Sequence, residues 1–76
     1  MKQQNYKIEL YIDNVFLLLE LLEKIENFKN TFEDINIYSI NTEKITYKEI
    51  LYTIIFCNYN TEINEKTIED YFNITK

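Results

Sequence analysis

Apolar and polar residues change rhythm several times along this chain, and each rhythm points to an element. Residues 6–12, YKIELYI, alternate: Tyr6, Ile8, Leu10 and Ile12 share one side, and Lys7, Glu9 and Tyr11 the other. A period of two predicts a half-buried strand. Residues 13–32, DNVFLLLELLEKIENFKNTF, then take up helical spacing and form the longest periodic stretch. Advancing about 100° per residue gathers Val15, Leu17, Leu18, Leu21, Leu22, Ile25, Phe28 and Phe32 into one wide core-facing stripe. Glu20, Glu23, Lys24, Asn27, Asn30 and Thr31 fall opposite. Phe16 and Leu19 lie off the stripe and require a second neighbour, in the domain or in a partner. Asp13 is the expected N-cap, accepting from the backbone N–H of Val15 or Phe16. Ile12 and Leu17 have the spacing of a hydrophobic staple across it.

Residues 35–40, INIYSI, are short and rich in β-branched and aromatic side chains, which predicts a second strand. Strand, helix, strand favours a right-handed parallel crossover, with an antiparallel pairing as the alternative. Residues 41–45 read as a polar connection. Thr46 and Glu49 then match a capping box, T-x-x-E, and Ile45 and Ile50 repeat the staple spacing. This predicts a helix over 47–59. Its core stripe is Tyr47, Ile50, Leu51, Ile54 and Cys57, with Tyr52, Phe56 and Tyr59 as a second, aromatic stripe. A strand through ILYTIIFC is the rival reading, favoured by propensity. After a turn over 58–64, Asn64 caps a last helix over 65–73 that buries Ile68, Tyr71 and Phe72. The expected fold is α+β, a small α/β arrangement of one domain over 1–76 with 1–5 frayed. Its order is β-α-β-α-α, a two-stranded sheet packed by three helices.

Composition narrows what such a fold could do. The chain has 76 residues and a net charge of −5; lysine is its only ordinary cation, because arginine and histidine are absent. Without arginine there is no bidentate fork for guanine or phosphate, and an acidic chain does not neutralise a phosphate backbone. Direct nucleic-acid binding is therefore not expected. One cysteine and no histidine exclude an internal disulfide and the usual zinc sites. Cys57 sits in an apolar run and reads as a buried hydrophobe. No glycine means no glycine-dependent phosphate loop. It also leaves asparagine and aspartate to fill positions of positive φ. The reading is of a protein with no cofactor or metal and no enzymatic activity.

Glycine, proline, alanine and arginine, all missing, are encoded by GC-rich codons, so the coding sequence is expected to be AT-rich, as in a low-GC bacterium or its phages and plasmids. No signal peptide is visible, and the apolar run from Val15 to Leu22 is too short to span a bilayer. The expected setting is the cytoplasm, away from membranes.

Three features remain as candidate contacts. Glu20, Glu23 and Glu26 give the first helix an acidic outer side. Such a side could imitate a row of phosphates in the basic groove of a nucleic-acid-binding protein, against the commoner role of a charge run as a solvated face. The aromatic stripe of Tyr52, Phe56 and Tyr59 suits an interface, since aromatic residues concentrate at binding hot spots, unless the last helix covers it. An uncharged strand over 35–40 invites edge pairing with another chain, a homodimer or a target. Glu62, Glu65, Glu69 and Asp70 form a second acidic stripe, for which a stabilised helix start is a sufficient explanation. The function expected is therefore that of a small acidic protein–protein interaction module, an inhibitor that occupies a basic protein surface. The alternative is a structural homo-oligomer or antitoxin-like subunit.

Overall fold

The computed structural model of the chain describes residues 4–58 and 63–73. Five elements follow one another: β1 (Gln4–Ile12), α1 (Val15–Thr31), β2 (Asn36–Lys44), β3 (Ile50–Asn58) and α2 (Glu65–Tyr71). β3 lies between the other two strands in the order β1-β3-β2 and pairs antiparallel with both. β1 and β2 consequently run parallel to each other, joined through α1, with β3 slotted between them. This is a split β-α-β unit.

The expected two-stranded sheet with three helices is thus corrected to three strands and two helices. The error lies at residues 47–59. Thr46 does make the local bond that a capping box needs: its Oγ1 accepts from the N–H of Glu49 at 3.0 Å and of Lys48 at 3.3 Å. In the fold, that bond belongs to a hairpin turn. The N–H groups of Ile45 and Thr46 both donate to the carbonyl of Glu49, at 2.9 and 3.2 Å. The chain then returns as β3 instead of winding into a helix. A hydroxyl that accepts two and three residues ahead serves a turn as well as a cap, so the motif cannot distinguish them. The pairing partners do: β1 and β2 each offer this segment a ladder, and between them Leu51, Ile54, Phe56 and Cys57 are all buried.

β2 is also longer than the pattern suggests. It runs on through the polar residues 41–44, because β3 offers a backbone ladder along its whole length. A bulge between Ile37 and Ser39 interrupts the pairing. It restores Ile40 to the face of Ile54, and it twists an edge that also carries Glu43 and Lys44.

β1 meets its expectation over 6–12 but starts earlier: Gln4 and Asn5, expected to be frayed, pair with Asn58 and Cys57. Its alternation places Tyr6, Ile8, Leu10 and Ile12 opposite Phe56, Ile54, Tyr52 and Ile50. Both helices cover this face. Ile8, Ile54 and Phe56 from the sheet, Leu21 and Phe28 from α1, and Ile68 and Phe72 from α2 form one buried cluster. Phe28 is its centre, with ring centroids 5.0 Å from Phe32, 5.1 Å from Phe56, 5.9 Å from Tyr71 and 6.0 Å from Phe72. The Tyr71 hydroxyl donates to the carbonyl of Lys24 at 2.7 Å and ties the two helices together.

Both helix starts are capped by asparagine. Asn14, not Asp13, caps α1: its side-chain oxygen accepts from the N–H of Leu17 at 2.9 Å. The expected cap is one residue early, so Asp13, not Ile12, takes the position before the cap and the expected staple between Ile12 and Leu17 loses its spacing. Asn64 caps α2 as expected, accepting from Thr67 at 3.0 Å. Beyond α2, Asn73 has φ 57°, the left-handed conformation that glycine usually supplies after a helix. In a chain without glycine, asparagine takes that position.

Candidate interaction surface

α1 has more apolar residues in its first two turns than one face can bury. Its sequence opens VFLLLELL. The side that meets the sheet takes Leu21 and Phe28 fully and Leu18, Lys24 and Ile25 in part. Val15, Phe16, Leu19 and Leu22 are left 65%, 83%, 59% and 46% exposed. Among the described residues, Phe16 and Leu19 find no cover, the first of the two outcomes the pattern allowed being absent. Val15 and Leu22 were expected in the core stripe and instead join them outside, and Leu17, expected there too, is also exposed. The physical reason is the narrowness of the contact: a helix on a three-stranded sheet buries a strip, and the margins of a wide stripe stay in water. The signal was in the sequence as seven apolar residues among the first eight of α1, more than any amphipathic helix requires.

The three glutamates lie on the same helix and are exposed. Glu23 and Glu26 continue the outer ridge one and two turns beyond Phe16 and Leu19. Glu20 stands to one side and pairs with Lys24 Nζ at 3.3 Å, the i,i+4 arrangement. The ridge is therefore apolar at its N-terminal end and acidic in its middle.

The remaining predicted contacts are placed differently. Phe56 is fully buried in the core, and Tyr52 packs half-buried against it. On a strand, the two share the helix-covered face, so the aromatic stripe disappears with the helix that would have carried it. Tyr59 lies outside the described residues, as does Glu62 of the second acidic stripe. Within that stripe, Glu69 accepts a hydrogen bond from the Tyr6 hydroxyl and links α2 to β1. Burial, that hydrogen bond and the nearby carboxylates of Glu69 and Glu65 push the Tyr6 hydroxyl up to about 12.

Beside the ridge, a groove of about 200 Å³ runs between β1 and α1, lined by Leu10, Ile12, Leu17, Leu21 and Phe72 together with Glu20 and Lys24. It is smaller than the roughly 300–1,000 Å³ of most small-molecule sites. Among the described residues, no three histidine, cysteine or acidic side chains are grouped to hold a metal. No described helix is long and apolar enough to cross a membrane. No family model, curated protein or solved structure matches the chain.

Proposed function

We propose that the chain is a small acidic protein–protein interaction module that acts by seating the outer ridge of α1 in another protein's groove. One observation carries this: Val15, Phe16, Leu19 and Leu22 stand exposed together on successive turns of one well-capped helix. Isolated exposed apolar residues are ordinary, but a contiguous group marks a contact surface. A helix that presents anchors at three- and four-residue spacing fits the helix-in-groove mode of recognition. Glu23 and Glu26 follow on the same ridge, so the complementary groove has an apolar floor and lysine or arginine at one end. The charges would steer encounter and fix orientation, while the apolar anchors would supply most of the affinity.

This refines the idea of an inhibitor on a basic nucleic-acid-binding surface. A ridge that is half apolar is a poor copy of a phosphate row but a good plug for a basic-rimmed protein cleft. Tagged wild-type protein, a Phe16→Asp/Leu19→Asp variant and a Glu23→Lys/Glu26→Lys variant would be compared in pull-downs from lysate at low and high salt. A protein retained by wild type, lost with the first variant at any salt and weakened by the second is the expected result. A partner held equally by all three would refute the proposed surface.

A further inference from the structure

We infer that a second copy of this chain pairs with β1 along its outer edge, antiparallel, with Ile8 facing Ile8 across a two-fold axis. This concerns a different surface from the α1 ridge, and either can fail without the other.

The two edges of the sheet differ. β2 is blunted by its bulge and by Glu43 and Lys44. β1 pairs with β3 in unbroken register from Gln4 to Ile12, and among the described residues nothing pairs with its other side. A regular edge of nine residues presents a row of backbone donors and acceptors ready to accept a strand.

The side chains of β1 then select the occupant. Lys7 and Glu9 point away from the helices, both are exposed, and neither has an ion-pair partner among the described residues. Two antiparallel copies of QNYKIELYI that meet at Ile8 place Lys7 opposite Glu9 of the other copy, twice over. The same register sets Tyr6 opposite Leu10 on the helix-covered face and Asn5 opposite Tyr11 on the open one. Alternatives are penalised. A slip of one residue in pairing mixes the two faces of the sheet. The next registers that keep the faces put Lys7 against Lys7 or Glu9 against Glu9, like charges directly opposite. The edge is thus complementary to itself in one register. The product is a continuous six-stranded sheet with all helices on one face, and both α1 ridges remain uncovered.

Sedimentation velocity over a concentration series tests this with charge-reversed chains, and far-UV circular dichroism confirms that each is folded. Wild type is expected to dimerise. Lys7→Glu and Glu9→Lys should each weaken self-association by about tenfold or more, because each turns two attractive cross-strand pairs into repulsive ones. Mixed together, the two variants should associate with each other, since the all-acidic strand of one then faces the all-lysine strand of the other. The double variant Lys7→Glu/Glu9→Lys restores both pairs and should dimerise like wild type, which keeps the test decisive if a single variant does not fold. A monomeric wild type, a dimer indifferent to the single reversals, or a double variant that stays monomeric would overturn the inference.

Discussion

Phe28 and Phe16 are the same residue type on the same helix, and the fold assigns them opposite fates. Phe28 is 1% exposed and makes four ring contacts in the core, whereas Phe16 is 83% exposed. Truncating a buried phenylalanine to alanine costs about 3–5 kcal/mol, the lost transfer free energy plus the cavity left behind. A chain of this length has a total stability of about 4–11 kcal/mol. Phe28→Ala should therefore remove between about a quarter and all of the stability. At about 4–8 °C per kcal/mol for a domain of this size, the unfolding midpoint falls by at least about 12 °C. Phe16→Ala should change stability by no more than about 0.5 kcal/mol, with a slight gain possible because alanine is the better helix former. Urea unfolding followed by far-UV circular dichroism gives both numbers, and the slope with denaturant should stay as in wild type. Equal costs for the two substitutions, or a Phe28→Ala loss below about 1 kcal/mol, would refute the packing described here.

Two further predictions follow from local contacts. Tyr6 donates to Glu69 only while its hydroxyl is protonated. Its folded value of about 12 lies above the ordinary 10.0, so its contribution is complete below pH 10 and lost as pH rises towards 12. Absorbance of tyrosinate should show a late-titrating component that Tyr6→Phe abolishes, and a titration unchanged in that variant would contradict the assignment. Asn14→Ala removes the cap of α1 and should cost about 1 kcal/mol, against a few tenths for Asp13→Ala. The reverse order in urea unfolding would return the cap to Asp13.

The sequence alone determined the elements whose signal is local. β1 was legible from its strict alternation, and α1 from its length and period, because in each the buried side is set by spacing within one segment. The asparagine cap of α2 follows from chemistry that acts over three or four residues, whereas Asn73, expected as the last residue of that helix, lies beyond its end at Tyr71 in the left-handed conformation. The exposed Phe16 and Leu19 were visible as apolar residues in excess of one helix face.

Only the tertiary structure decided residues 46–58. Thr46 and Glu49 make the same hydroxyl–amide bond in a helix cap and in a hairpin turn, so no local reading separates the two. What separates them is two neighbours distant in sequence, β1 and β2, each offering β3 a ladder. Those pairings bury Ile54 and Phe56 completely and extend β2 through residues that carry no strand signal of their own. The same choice took Phe56 from a candidate contact into the core, and it gave β1 the neighbour β3 in place of β2. The charges of Lys7 and Glu9 were in the sequence throughout. That they stand on a regular, unbulged edge strand, where a second copy would meet them in register, depends on the unbroken ladder that β3 forms with β1.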